Sequence, residues 1–370
     1  MTYSTNRLLN LAVAIQQIPA PTFHETERAE FVRARFVEEG LQDIGIDPAG
    51  NVYARLPILR PLSTVHRLLV VSAHLDTVFP ASTDLKIFRE PERISGAGIG
   101  DNAVGVAGLF GLVWALRQRK IELPGDLWLV ANVCEEGLGD LRGMKAIVER
   151  FGKTPRAYVA LEGMALGQVF HRGLGVCRYR VTVCTAGGHS WVDYGRPSAV
   201  HELTALAAKI TALKLPEEPR TTLNVGTISG GTSVNTIAAE AMLELDLRSE
   251  QPETLRQIAR QVEGLVVDTR REGVKAAAEV IGQRPAGELP ASHPLVRLAE
   301  ECLHEVGIEP QLSIGSTDAN YPLSRGLPAV TIGLTTGRGA HTVHEYINTA
   351  PLEKGIEQVM RLVSSAKWEL

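Results

Sequence analysis

The chain has 370 residues, 44% apolar and 22% charged, with a formal net charge of -4; that length exceeds what one hydrophobic core usually serves, so two domains are expected. The near-neutral balance and the lack of basic runs argue against a nucleic-acid partner, since Arg270-Arg271 beside Glu272 is an ordinary solvated charge cluster. No uninterrupted run of about 18 apolar residues occurs, which sets a membrane span aside, and Cys134, Cys177, Cys184 and Cys302 contain no CxxC pair that would point to a thiolate metal site or a disulfide framework.

The apolar stretch from Leu8 to Ile18 is broken by Asn10, Gln16 and Gln17 and leads into a helical pattern rather than a small-residue cleavage site, so a cytoplasmic protein is expected. Leu68 to Ser72, Leu127 to Val133 and Tyr158 to Leu161 are short continuous apolar runs, as in parallel strands covered on both faces. Ala103 to Lys120 between them reads as a buried helix, giving the alternation of an α/β domain.

From Leu174 the texture changes, because Cys177, Tyr179, Val181 and Val183 alternate with Arg178, Arg180 and Thr182. Helical patterns over Pro197 to Leu213 and Pro252 to Arg270, with strands over Leu223 to Ser229, Ala241 to Arg248 and Val274 to Ile281, complete a β-α-β-β-α-β ferredoxin-like order. A Pro/Gly-rich segment, Arg284 to Pro294, returns the chain to a helix (Leu295 to Val306) and a further apolar strand (Ala329 to Leu334) of the first type. The expected fold is therefore a mostly parallel α/β domain, residues 1–173 and 288–370, interrupted by an α+β domain, residues 174–287.

In open α/β sheets ligands bind beyond the carboxyl ends of the strands. There the sequence places His74 and Asp76, then Glu135-Glu136, then Glu162 and, one loop after the last strand, His341; Asp101 joins them from the glycine-rich turn Gly96, Gly98, Gly100. Carboxylates gathered in a crevice repel one another and resist desolvation, and a pair of divalent cations would resolve both costs. Imidazole and carboxylate ligands without thiolate fit zinc best, with cobalt and manganese as alternatives. Two such ions polarise a carbonyl and activate water, provided one carboxylate stays off the metal as a base. The Glu135-Glu136 pair supplies that division, because adjacent side chains at a strand end diverge.

Other mechanisms find no support. There is no GxSxG elbow, none of the His-Glu dipeptides at 24, 201, 304 and 344 extends to HExxH, Ile147 stands where a P-loop before Gly152-Lys153-Thr154 needs glycine, and Ala103 stands where a dinucleotide fingerprint needs its third glycine.

The segments HLDTVF (74–79), GDNAVG (100–105), EEGLGDLRG (135–143), LEG (161–163), AGGHS (186–190) and AHTVHE (340–345) resemble, in order and over nearly the whole chain, the dinuclear zinc hydrolases that include peptidase T, carboxypeptidase G and acetylornithine deacetylase. The resemblance implies His74 and Glu162 on one zinc, Glu136 and His341 on the other, and Asp101 as the bridge. It makes Glu135 the general base and Asp76 the residue that orients His74. His341 is preferred to His344 because the family places a ligand histidine four residues before a glutamate, here Glu345.

The inserted domain in that family caps the site and forms a homodimer, and its histidine, matched by His189, stabilises the oxyanion, often in the partner subunit. Asn235 and Arg248 fall where the family contacts substrate, although Arg248 also has Glu250 and Glu244 within reach as surface partners. The substrate is then a di- or tripeptide cleaved by an aminopeptidase, or alternatively an N-acyl amino acid; a catalytically silent ligand-binding relative would lack one of these residues, and none is lacking. Many deacylases and carboxypeptidases of the family carry lysine after the bridging aspartate, where this chain has Asn102, Ala103 and Val104, which leans toward a peptidase.

Overall fold

Continuous apolar strands need a cover on each face, and the computed structural model, which describes residues 3–57, 68–123 and 125–365, supplies it with helices. The chain divides into two compact units, Met1–Gly173 with Gly287–Leu370, and Leu174–Ala286.

The first unit is built on a nine-stranded sheet in the order Gln42–Ile46, Val52–Leu56, Asp126–Asn132, Leu68–His74, Pro155–Glu162, Ala329–Gly333, Gln168–Gly173 and Gly287–Glu288, with Gln311–Gly315 also paired to Gln168–Gly173. Its four central strands, from Asp126–Asn132 to Ala329–Gly333, run parallel, whereas Val52–Leu56 and Gln168–Gly173 flank them antiparallel. The central strands therefore end on one edge of the sheet, with His74 opposite Asn132 and Glu162 opposite Gly333.

The helix Val104–Gln118 packs between this sheet and the helices Tyr3–Gln16 and Leu352–Ser364. Together with the preceding turn it forms the 20-residue stretch Ile99–Gln118, long and apolar enough to cross a membrane by length and composition only, and most of that stretch is buried inside the unit. Glycine lets it lie close to its neighbours: a Cβ on Gly108 would sit 2.2 Å from Leu334 Cδ1.

A small four-stranded sheet, Gly337–Arg338, Tyr346–Asn348, Arg93–Ser95 and Phe88–Arg89, sits in the same unit. It joins the segment that carries His341 to the segment leading into Asp101, through Tyr346 opposite Ser95.

The second unit is a β-α-β-β-α-β fold. Its antiparallel sheet runs Thr221–Gly230, Glu240–Ser249, Gly175–Cys184, Lys275–Arg284. Alternate residues of Gly175–Cys184, among them Tyr179, Val181 and Val183, are buried with Leu203, Leu206 and Ile210 of the helix Ala199–Thr211 and with Ile258, Val262 and Val266 of the helix Pro252–Thr269. This core shares no residue with that of the first unit.

Candidate metal centre

Strand geometry delivers the first two site residues. His74 and Glu162 are the last residues of neighbouring parallel strands. Glu135 and Glu136 follow the end of Asp126–Asn132 by a few residues, after Cys134 turns the chain with φ of 57°. Asp101 lies in the turn Ile99–Ala103 in a non-helical conformation, just before the helix Val104–Gln118. His341, at φ 64°, lies in the connection between Gly337–Arg338 and Tyr346–Asn348.

These residues converge as two overlapping triads, His74 with Asp101 and Glu162, and Asp101 with Glu136 and His341, the donor atoms of each lying within 4.8 Å of one another. Asp101 belongs to both: its Oδ1 is 3.1 Å from His74 Nε2 and its Oδ2 is 3.2 Å from His341 Nε2. His341 Nε2 also lies 3.0 Å from Glu136 Oε1, and His74 Nε2 lies 3.8 Å from Glu162 Oε2. His344 is exposed and belongs to neither triad.

Burial and mutual repulsion dominate the electrostatics. Burial, opposed by a hydrogen bond from His341, pushes the Glu136 carboxyl up to about 7, and burial opposed by His74 does the same to Glu162. Hydrogen bonds to Asp101 and Glu136 push the His341 imidazole up to about 10. His74 is also raised: burial works against its charge, and contacts to Asp101, Asp76 and Glu162 more than offset it. Asp101 is held low by the two imidazoles in spite of its burial. Without cations the cluster thus neutralises itself by sharing protons. Its nitrogen and oxygen donors, paired around one shared carboxylate, fit two divalent cations in place of those protons.

Asp76, expected to orient His74, has a broader role. His74 Nδ1 lies 3.1 Å from the Asp76 main-chain oxygen and 3.5 Å from its Oδ1, which leaves Nε2 aimed at the triad. The same carboxylate accepts the N–H groups of Glu135 at 2.9 Å and Glu136 at 2.8 Å, and the Thr22 hydroxyl at 2.9 Å. One fully buried side chain therefore fixes a histidine on one strand and both glutamates beyond the next.

Other positioning groups escaped the sequence reading. Buried Arg28 donates to the carbonyls of Leu75 and Ile18, and Glu25 accepts the N–H of Cys134 at 3.0 Å. Asp318 accepts from Asn132 Nδ2 at 2.7 Å, and burial pushes its carboxyl up to about 8. Their partners lie far away in sequence, and no local pattern announces such contacts.

In the second unit, His189 and Asn235 come together. Gly188–His189 pairs with Thr236–Ile237, and the Ser190 N–H donates to the Asn235 carbonyl at 3.0 Å. The His189 ring accepts the N–H groups of Trp191 at 3.2 Å and Val192 at 3.4 Å on Nδ1, so its own proton belongs on Nε2. Asp193 Oδ2 holds this turn by accepting the His189 N–H at 2.8 Å.

Arg248 stands elsewhere. It lies opposite Val176, eight register steps or roughly 26 Å from the Glu240–Cys184 pair at the other end of the sheet; the chain runs on from Cys184 to the separate two-stranded sheet that holds His189. Its Nε donates to Asp246 at 2.7 Å rather than to either expected glutamate, and Glu244 pairs with Arg180.

Residues 70–365 match the model of peptidase family M20/M25/M40. Succinyl-diaminopimelate desuccinylase of Corynebacterium glutamicum is 27% identical over 346 residues, spanning 90% of this chain and 89% of that one. The structure is similar to that of aminopeptidase PepT from Bacillus cereus, with a TM-score of 0.78 and 23% identity over 97% of this chain and 98% of that one. It is also similar to the Bacillus subtilis YXEP protein, described as a dinuclear metal-binding peptidase, with a TM-score of 0.66 and 17% identity over 98% of each chain.

Proposed function

We propose, because the chain belongs to peptidase family M20/M25/M40 and is a hydrolase of amide bonds, that it is a di- or tripeptide aminopeptidase working with two divalent cations, zinc before cobalt or manganese. The observation that carries the two-cation part of this reading is Asp101, whose two oxygens each face a different histidine in a different donor triad. In it, His74 and Glu162 would hold one ion and Glu136 and His341 the other, with Asp101 serving both. Bound there, the ions supply Lewis-acid activation of water and of the scissile carbonyl.

The remaining chemistry belongs to the protein. Glu135 takes the proton of the attacking water and passes it to the departing amine. Asp76 holds the Glu135 backbone so that its carboxylate keeps that position. His189 offers its Nε2–H to the developing oxyanion, the tautomer its Nδ1 contacts favour. Asn235 lies beside it to contact the substrate, and Arg248 suits a substrate carboxylate.

Arg248 lies eight register steps, roughly 26 Å, from the Glu240–Cys184 end of its sheet, and His189 belongs to a separate two-stranded sheet that follows Cys184 in the chain. In this reading the protein is a homodimer in which the inserted unit of one copy serves the site of the other. Four cysteines without a CxxC pair, three of them buried, fit the reducing conditions of a cytoplasmic location.

N-acyl amino acid deacylation is the second reading, favoured by the similarity to a desuccinylase. Turnover of free-amino di- and tripeptides beside N-acetyl and N-succinyl amino acids, with zinc- or cobalt-loaded enzyme and a chelated control, decides between them. Metal-dependent cleavage of peptides alone is expected; cleavage of acyl amino acids alone moves the enzyme to the deacylases.

A further inference from the structure

The reaction as proposed leaves Glu345 without a task, yet its environment is costly to build. The residue is fully buried, and its carboxylate accepts three main-chain N–H groups: Gly100 at 2.6 Å and Asp101 at 2.8 Å on Oε1, and Gly98 at 3.0 Å on Oε2. Its main-chain oxygen accepts a fourth, from Gly96 at 2.9 Å. A side chain near the end of the chain thus closes the glycine turn that presents Asp101.

Glu345 belongs to the same connection as His341. The Glu345 N–H donates to the Thr342 carbonyl at 3.1 Å and the Thr342 N–H to the Gly339 carbonyl at 3.0 Å, two successive turns that place His341 relative to the carboxylate. The other site residues have their own anchors. His74 and Glu162 end strands of the central sheet, and the Glu136 backbone is held by Asp76. His341 has no strand beneath it, a left-handed backbone and a half-exposed ring.

We propose that Glu345 is a positioning residue that fixes the Asp101 turn against the His341 connection, so that the Glu136–His341 cation position depends on it far more than the His74–Glu162 position does. This rests on the two-cation reading above. A carboxylate suits the task because its two oxygens meet three donors; a glutamine would turn an NH2 group toward one of them. Groups that orient metal ligands from behind typically change metal affinity by about 10- to 100-fold when removed.

The test is calorimetric and spectroscopic titration of the metal-free full-length protein with Co2+. Wild type is expected to take up two ions, and uptake of fewer would overturn the two-cation reading and this proposal with it. Glu345→Gln is expected to bind the first ion within about threefold of wild type and the second at least tenfold more weakly. His341→Ala should weaken the same step, and the double variant should lose no more than the worse single one, because both act on one position. Equal weakening of both ions in Glu345→Gln, or wild-type binding of both, overturns the proposal. If Glu345→Gln fails to fold, Glu345→Asp, which keeps the charge but shortens the reach, is titrated in its place. Hydrogen exchange on wild type gives an independent reading: the Gly98, Gly100 and Asp101 amides should exchange slowly without any metal, and fast exchange overturns the proposal.

Discussion

Glu135 and Glu136 are adjacent in sequence and are both held at their main-chain nitrogens by the Asp76 carboxylate, yet only Glu136 enters a donor triad. In the proposed reaction that difference separates catalysis from metal binding. Glu135→Gln is expected to keep both ions and to lose turnover by about 10²- to 10⁴-fold, the range of a positioned general base; metal analysis after gel filtration checks the first part, and loss of both ions would contradict the base assignment. The triads also predict a pH dependence. Ligands bind in their deprotonated forms, whereas metal-free Glu136 and Glu162 titrate near 7 and His341 keeps its proton up to about 10. Loading therefore releases protons, and apparent affinity rises with pH from about 6 to 8. Calorimetry at pH 6.5 in two buffers of unlike ionisation enthalpy reads the release, and heats independent of buffer would contradict it.

At the scale of elements, the sequence showed what periodicity encodes. The strands expected over Leu68 to Ser72, Leu127 to Val133 and Tyr158 to Leu161 are observed as Leu68–His74, Asp126–Asn132 and Pro155–Glu162, longer where residues such as Asp126, Arg156 and Glu162 extend an apolar run and one residue shorter at Val133. Strands of two or three residues, such as Gly337–Arg338 and Arg93–Ser95, have no period to read, although they bring His341 to the Asp101 segment. Strand-end position revealed the histidines and carboxylates, but Asp76 as a double anchor and Glu345 as a turn closure depend on contacts across the fold that leave no local trace. The His189 turn is a similar case. His189→Ala should lower kcat far more than it raises KM if its proton meets the oxyanion. Asp193→Ala, which frees the turn while keeping the ring, should lower kcat by a smaller factor, about tenfold, with KM nearly unchanged; steady-state kinetics on both variants checks this, and an effect confined to KM would argue for a substrate contact instead.

For the whole molecule, the question is what each unit does alone. The two apolar cores share no residue, and the inserted unit leaves and rejoins the first at one place, because Gly173 and Gly287 face each other as register partners in an antiparallel pair. A two-residue Asn-Gly turn joins such partners without strain, so residues 174–286 can be replaced by a hairpin turn. The shortened chain should melt cooperatively and still take up two ions, since all five metal ligands proposed, together with Glu135 and Asp76, lie in the first unit. It should turn over peptides at least 10²-fold more slowly than the full chain, the cost of losing a donor aimed at the oxyanion. Calorimetry, metal analysis and kinetics on one preparation separate the outcomes. A folded, metal-loaded variant with full turnover would remove His189 and its unit from the chemistry, whereas a folded variant unable to hold either ion would mean that the inserted unit shapes the metal centre itself.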